Sequence, residues 1–540
     1  MKSNLTKRSL ICLLLGLSIL FNFSCSKKQS LPIPKDAAIG MIDVFTLIEK
    51  SQVLDSTKYS NMRTLIAAAG IDINAEINDK SLNDLSKEGI DNKSKVYIFS
   101  SADNLDKKCI GAALKLTDEK KFEVFLKDLT DGSGMELTIE EKDAYKLVSF
   151  MNKVVMVWNN NSFLLLASPD NNLDFLKQEA DRLMKLKEEE RIANLPEFQK
   201  FNGTQNDFSM WIPMTILEKL PNYNMFKDQM PFDLKGNYAT ITLNFEKDQI
   251  ALAGRYFLNK EAEKLVKENP VLKDMNKELL KFLPEQSIAE LGYAIDFKNY
   301  LSLLKKSPQF GMLAMMFQGQ TGISLEDLFS DFGGSTIFTM SDYKTLSYLG
   351  NSVSIGNNTE IEVKEKEMPI LNMVFDLNKN DNIMKLVDMI PAEMLEKHDN
   401  YYEVYLPMMP NFYFAFNDKF GIASNELETV KAFNNGGLQN NLNFSPLKDD
   451  IIKYSAYANM YVNKENLPQS INDLVQENFK YDRDMLIPYK IWNDYAIRVD
   501  MKTIDSYSFK ISLHTKQIDS NSLSSLFSAI DKNIPAALGN

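Results

Sequence analysis

Residues 154–168 read VVMVWNNNSFLLLAS, two apolar runs separated by three asparagines. Runs of this kind around a short polar segment predict two antiparallel strands joined by a tight turn. Residues 412–424, FYFAFNDKFGIAS, show the same arrangement, with Asn417 in the place of Asn159. Short hairpins favour an antiparallel sheet, because parallel strands need long crossover connections.

The two hairpins belong to longer segments that match in the same order. The matched positions are Asp43 with Asp296, Gly70-Ile71 with Gly322-Ile323, Tyr145 with Tyr402, Asn159 with Asn417, Ala167-Ser168 with Ala423-Ser424, and Tyr238-Ala239 with Tyr495-Ala496. The members of each pair lie between 252 and 258 residues apart. Any single identity is trivial, but matches that stay collinear over this length predict a tandem duplication.

Helical segments alternate with the strands in both halves. Residues 114–129, LKLTDEKKFEVFLKDL, pass from a strand into a segment whose apolar residues recur at helical spacing. Sheets and helices bury their apolar sides against each other. The predicted fold class is therefore α+β, with two tandem similar lobes, each a mainly antiparallel sheet with helices packed on one face.

These patterns divide the chain into six segments. We expect a lipoprotein signal peptide at 1–24, a lipidated tether at 25–35, a first α+β repeat lobe at 36–258, a charged helical junction at 259–283, a second α+β repeat lobe at 284–516 and a C-terminal tail at 517–540.

The first 25 residues, MKSNLTKRSLICLLLGLSILFNFSC, combine a basic start with an apolar run and a small residue, Ser24, before Cys25. The run is too short to span a bilayer and is typical of an export signal. Ser24-Cys25 resembles the junction of bacterial lipoproteins, in which the Cys is acylated before the signal is removed. We therefore predict Cys25 as the lipid (palmitate) attachment site, with an ordinary secretory signal and an uncleaved anchor as the alternatives.

Composition limits the function classes. Hydrophobic residues make up 44% and charged residues 25% of the chain, as in a globular protein. The net charge of −12 disfavours nucleic acid as a partner, because phosphate binding needs clustered basic residues. Once Cys12 leaves with the signal and Cys25 carries a lipid, Cys109 is the remaining thiol, so no intramolecular disulfide is expected.

No recognisable catalytic or cofactor motif occurs in the sequence. The chain has two histidines, His398 and His514, and we interpret both as solvated or structural because the local sequence shows no convergent partners. Asp376 begins a segment similar to a calcium loop, but Val387 stands where a bidentate Glu is needed. We therefore expect no catalytic residue, no cofactor and no metal site, and we favour a non-enzymatic role.

Methionine is abundant, and residues 310–317 read FGMLAMMF. Flexible thioethers suit adaptable apolar surfaces, which makes Phe310, Met312, Met315, Met316 and Phe317 a candidate binding surface for lipid, peptide or glycan. The competing interpretation is ordinary core, and apolar residues at this spacing favour it.

The signal, the opening LPIPKDAAIGMIDVFTLIEKS at residues 31–51 and the strand-helix segment at 114–129 resemble a family of Bacteroidetes envelope lipoproteins, the domain of unknown function 4836 family. The resemblance covers nearly all of the chain after the signal. Its motifs are packing signatures, so it implies a location and a fold and transfers no active site. In relatives that display lipoproteins on the cell surface, an acidic cluster typically follows the acylated Cys. Lys27 and Lys28 follow it here instead, which favours the periplasm-facing leaflet of the outer membrane.

The leading hypothesis is a lipid-anchored cell-envelope protein with a non-enzymatic binding or scaffolding role. Its partners would be the membrane, through the N-terminal lipid, and an envelope protein, glycan or lipid. One alternative is a carrier or receptor for a small apolar or glycan ligand. A lower-ranked alternative is an envelope hydrolase that uses dispersed carboxylates.

Overall fold

The structure is a computed structural model of the chain. It describes residues 30–68, 85–91, 93–101, 109–131, 138–150, 152–170, 172–219, 223, 232–305, 308–355, 358–406, 409–463, 465, 467, 469, 472–473, 490–517 and 519–537. Their contacts define two units. The first takes the described residues of Met1–Lys227, Asp233–Asn259 and Gln517–Asn540, and the second those of Asp228–Phe232 and Lys260–Lys516.

Each unit contains ten of the described strands. Those of the first unit are β1 (Ala37–Ile42), β2 (Val96–Ser101), β3 (Ile110–Lys115), β4 (Glu140–Glu141), β5 (Lys146–Phe150), β6 (Val154–Trp158), β7 (Ser162–Ala167), β8 (Phe208–Pro213), β9 (Tyr238–Phe245) and β10 (Gln249–Phe257). Those of the second unit are β11 (Ala289–Ala294), β12 (Phe332–Ile355), β13 (Asn358–Leu377), β14 (Leu395–Lys397), β15 (Tyr402–Val404), β16 (Phe412–Phe416), β17 (Phe420–Ser424), β18 (Ala456–Tyr461), β19 (Ala496–Asp505) and β20 (Ser508–Thr515).

The described α-helices connect these strands. They are α1 (Val44–Ser51), α2 (Ser60–Ala68), α3 (Glu119–Asp131), α4 (Leu173–Met184), α5 (Pro196–Asn202), α6 (Lys260–Glu268), α7 (Phe297–Leu304), α8 (Pro308–Thr321), α9 (Leu325–Asp331), α10 (Asp381–Val387), α11 (Leu427–Asn434), α12 (Lys448–Lys453) and α13 (Ser522–Ala537).

Both units have the same strand order, and their strands pair antiparallel. The first runs β4-β5-β6-β7-β3-β2-β1-β8-β9-β10. The second runs β14-β15-β16-β17-β13-β12-β11-β18-β19-β20. The α+β class with a mainly antiparallel sheet is thus confirmed, and an identical strand order is the outcome that a tandem duplication predicts.

Residues that align between the two repeats also have the same structural roles, as helix caps or in hairpin turns. Asp43 and Asp296 are the N-caps of α1 and α7, and the side-chain oxygen of each accepts a backbone N–H three residues on at 3.0 Å. Asn159 and Asn417 each hold a hairpin turn, because their side-chain oxygens accept two backbone N–H groups at 2.8–3.0 Å.

In the first unit, helices cover both faces of the sheet, although the sequence predicts one covered face. Val157 packs in a cluster with residues of α4 and α5, whereas the next residue, Trp158, packs in a cluster with Phe122 of α3. Successive strand residues point to opposite faces, so two buried neighbours require a cover on each side. The sequence shows this as continuous apolar runs in β6 and β7 rather than alternation.

The segment expected as a charged junction contributes to the second core. Leu279, Leu280, Phe282 and Leu283 are buried in the same cluster as Ile337 of β12. Residues 260–268 keep the charged character that the sequence indicates, with an ion pair between Lys267 and Glu263 at 2.7 Å.

The segment 517–540, expected as a tail, contains helix α13, which groups with the first unit. The Asp531 carboxylate accepts a hydrogen bond from the backbone N–H of Met62 at 2.7 Å, and the Asn521 amide donates to the carbonyl of Phe245 at 2.8 Å. These bonds attach the end of the chain to α2 and β9.

Candidate functional site

Helix α8 exposes large apolar side chains on one broad side. Met312, Leu313, Met315 and Met316 are each 57–69% exposed, and we call these four residues the α8 surface. At 100° per residue they span about 160° of the helix circumference. Exposed apolar patches of this kind mark protein, membrane or ligand contacts in soluble domains.

The opposite side of α8 is partly covered. Phe310, Ala314 and Phe317 lie at i, i+4 and i+7, and all three are half-buried. The helix ends at Gly322, whose φ of +69° favours glycine, and the next helix, α9, is capped by the Ser324 hydroxyl, which accepts the backbone N–H of Asp327 at 3.0 Å. The half-buried side of α8 therefore lies opposite the α8 surface.

The exposure of α8 goes against the interpretation as ordinary core, which the sequence favoured. Met312, Met315 and Met316 lie on the exposed side, and Phe310 and Phe317 on the half-buried one. Leu313 belongs to the exposed side and was missed. A helix that is apolar all round carries no periodic signal of which side is covered, so the sequence could not make this distinction. That these residues bind a partner stays a prediction.

The α8 surface has no charge. The helix, PQFGMLAMMFQGQT, contains no acidic or basic residue along its fourteen positions. Methionine side chains rotate freely and are polarisable, so such a surface can adapt to differently shaped apolar partners.

A second apolar feature is a cavity of about 460 Å³ on the sheet face opposite the second core. Leu291, Phe338 and Met373 are cross-strand neighbours there, and Leu371 and Leu291 are exposed. The remaining lining includes Ala289, Met340, Phe412 and Ala423. Its size and lining suit a small apolar ligand.

The core-facing side of the same strands carries a buried row of polar side chains, which we call the polar row. In spatial order it consists of Ser512, Asp500, Asn459, Glu290, Thr339, Asn372 and Ser424. Each of them is at most 3% exposed. The Asn459 amide donates to Glu290 at 2.8 Å, and Ser424 donates to Asn372 at 2.7 Å.

Glu290 is the most perturbed acid of the polar row. Burial raises the pKa of its carboxyl to about 7, although Asn459 and Arg498 act in the opposite direction. Glu290 also borders a polar cavity of about 530 Å³, together with Glu285, Asp342 and Tyr461. Glu290 was not among the predicted site residues; the available signal was an ionisable residue in the core-facing register of an otherwise apolar strand.

The cysteines and His514 take different places. Cys25 lies outside the described residues. Cys109 is buried, and burial raises the pKa of its thiol to about 11, so it stays protonated and unreactive at neutral pH.

His514 contacts the Asp500 carboxylate through Nε2 and so joins the polar row. Asp376 accepts a hydrogen bond from the backbone N–H of Ser335 at 2.7 Å, which is a structural role.

Within the described part of the chain, every helix is too short or too polar to span a bilayer. No curated protein matches the sequence. Two solved structures of TP0453, crystal forms I and IV, are similar at 10% and 11% identity with TM-scores of 0.22 and 0.23, and each match covers 45% of this chain and 86% of that chain. The family model named domain of unknown function (DUF4836) matches residues 30–523, and the chain therefore belongs to that family.

Proposed function

We propose that the chain is a lipid-anchored cell-envelope protein with a non-enzymatic binding role, and that the α8 surface is where it binds a protein partner. The observation that carries the proposal is the exposure of four large apolar side chains on one uncharged helix. Water contact with this much apolar surface is unfavourable, and a partner that covers it would gain the hydrophobic free energy.

The chemistry of α8 favours a protein over a lipid surface as the partner. Helices that lie in a membrane interface carry Lys and Arg on their polar side to meet anionic headgroups. Helix α8 has none, and glutamines and glycines flank its apolar residues. An apolar helix or strand face of another protein needs no such charges, and methionines can repack against it.

Site-specific photo-crosslinking tests this proposal. A photoreactive amino acid at position 312 or 316 should form a covalent product with one envelope protein in cells. The same amino acid at Lys264, an exposed residue of α6, should not. The product from position 312 should also disappear when Met316→Lys is added. Equal products from Lys264, or products made only with lipid, would contradict the proposal.

The lipid anchor is the second part of the proposal. It is supported by the basic start, the apolar run and the Ser24-Cys25 junction, which resemble a lipoprotein signal. Metabolic labelling with a clickable fatty acid should mark the wild-type protein and leave Cys25→Ser unmarked. Labelling of both proteins to the same extent would rule out Cys25 as the attachment site.

We propose the periplasm-facing side of the outer membrane as its location, because Lys27 and Lys28 follow Cys25 in place of the acidic cluster that is typical of surface-displayed lipoproteins. Protease added to intact cells should then leave the protein uncut, and permeabilised cells should lose it. Cleavage in intact cells would instead mean surface display.

A carrier for a small apolar ligand is the second candidate function, and the cavity beside Leu291 and Phe338 favours it. Native mass spectrometry of protein purified from its own cells should then reveal a bound mass. Leu291→Glu should remove that mass by placing a charge in the cavity, whereas Met316→Lys should retain it. A bound mass that both variants retain would exclude this cavity.

A further inference from the structure

The hairpin of β14 and β15 brings together two carboxylates and one imidazole. Glu396 and Glu403 are directly opposite each other across the strands, and His398 lies in the turn between them. His398 Nε2 lies 3.3 Å from Glu403 Oε2 and 3.8 Å from Glu396 Oε1. One ligand atom from each of the three side chains lies within 4.8 Å of the other two.

From this geometry we propose that Glu396, His398 and Glu403 bind a divalent transition-metal ion of the Zn²⁺ type. Ligand atoms about 2.0–2.2 Å from a tetrahedral Zn²⁺ are about 3.3 Å from each other. The 3.3 Å separation from Glu403 equals that value and is also within hydrogen-bond distance, whereas the 3.8 Å separation from Glu396 is longer than a hydrogen bond. Three protein ligands leave a fourth position for water or another ligand.

Groups around the three ligands orient them. The Tyr405 hydroxyl donates to Glu396 Oε2 at 2.5 Å, and the Asn411 amide donates to Glu403 Oε1 at 2.7 Å. Each carboxylate therefore has one oxygen held by a neighbour and the other directed towards His398. Outer hydrogen bonds of this kind fix the direction of metal ligands. The imidazole also stacks on the Tyr401 ring, with centroids 4.3 Å apart.

The equivalent hairpin of the first unit has a lysine at the position of Glu403. There Glu141 is opposite Lys146, whose ammonium contacts the carboxylates of Glu119 and Glu123 in α3. In the second hairpin Glu403 replaces the lysine. Like charges directly opposite across two strands repel, so two facing carboxylates favour a bound cation.

The ligand types select the class of ion. Imidazole together with carboxylate suits Zn²⁺ and its neighbours in the transition series, whereas Ca²⁺ and Mg²⁺ prefer oxygen ligands alone. We therefore expect Zn²⁺ and Co²⁺ to bind, and Ca²⁺ and Mg²⁺ to compete weakly.

Isothermal titration of the full chain with ZnCl₂, using protein without a polyhistidine tag, tests the site. One Zn²⁺ should bind per chain, and Co²⁺ should give a visible absorption band from imidazole and carboxylate coordination. His398→Ala should remove the Co²⁺ band and weaken Zn²⁺ binding at least about 100-fold, and Tyr405→Phe should weaken it about 10-fold.

Two matched variants separate metal binding from folding. Glu403→Lys gives the second hairpin the charge pattern of the first, so it should abolish binding while its unfolding in EDTA stays close to that of the wild type. Glu141→Gln in the first hairpin should leave binding unchanged. Absence of Zn²⁺ binding by the wild type, or equal binding by His398→Ala, would overturn the proposal.

Discussion

The two units share one strand order but differ in what their sheets bury at equivalent positions. The central strand of each is followed by a capping aspartate, Asp43 or Asp296. Ala37 and Glu290 precede their capping aspartates by the same number of residues, and both are buried. The first unit thus has an alanine where the second has a glutamate. The same strand order therefore accommodates either an alanine or a buried carboxyl group at this position.

The strands next to β1 and β11, which are β8 and β18, each carry a buried aromatic residue. Trp211 of β8 pairs with Ile39, and Tyr457 of β18 pairs with Gly292, and both aromatic side chains are fully buried. Trp211 lies among four aromatic rings. Neither the Trp211 indole N–H nor the Tyr457 hydroxyl has a hydrogen-bond partner among the described residues, and burial raises the pKa of the tyrosine side chain. The aromatic cluster around Trp211 thus belongs to the first unit, whereas the polar row, the α8 surface and the Glu396 hairpin belong to the second.

We expect the largest loss of stability from a substitution in the aromatic core of the first unit. Trp211→Ala should lower the free energy of unfolding by about 3–5 kcal/mol, because it removes a fully buried indole and leaves a cavity. Trp492, which is 40% exposed, provides the matched control, and Trp492→Ala should cost less than about 1 kcal/mol. Urea unfolding followed by circular dichroism measures both, and equal losses would contradict the assignment of Trp211 to the core.

The next largest effect concerns Glu290, which stands where the first unit has Ala37, and it depends on pH. Between about pH 4.5 and 7 the folded protein keeps the Glu290 proton while the unfolded chain loses it, so this group lowers stability as the pH rises through that window. Glu290→Gln has no such proton to lose. It should be about as stable as the wild type near pH 4.5 and more stable by up to about 3 kcal/mol above pH 7.

Urea midpoints of Glu290→Gln and the wild type at pH 5 and pH 8 measure this difference. A difference that is the same at both pH values would show that Glu290 titrates normally. The variant keeps the side-chain volume and can still accept the Asn459 amide bond, so packing changes little.

The smallest effect tests the equivalence of the two units. Asp43→Ala and Asp296→Ala each remove an N-cap bond of 3.0 Å, and each should cost about 1 kcal/mol. Thermal unfolding of the two variants should show similar losses. A large difference between them would mean that the aligned caps are not equivalent.

Much of the fold was predictable because it depends on local patterns. The asparagine turns at Asn159 and Asn417 and the caps at Asp43 and Asp296 act through hydrogen bonds to residues two or three positions away. The helices on both sides of the first sheet were harder to predict, because the side on which a helix packs depends on residues distant in sequence.

The sites were less predictable than the fold. The sequence predicts no convergent partners for His398, although Glu396 and Glu403 are near in sequence. Only the strand register brings the three side chains to one side of the hairpin. Glu290 was missed for a related reason. Its partner Asn459 lies on β18, far along the chain, and only the assembled sheet makes the two residues neighbours.

The sequence by itself determined the α+β class, the hairpins, the caps and the repeated order of elements, since each depends on residues close together along the chain. The tertiary structure alone decided that the α8 surface is exposed, that the polar row is buried and that two glutamates lie beside one histidine. These properties depend on which surfaces the fold covers and on the register of paired strands, and neither is written in local sequence.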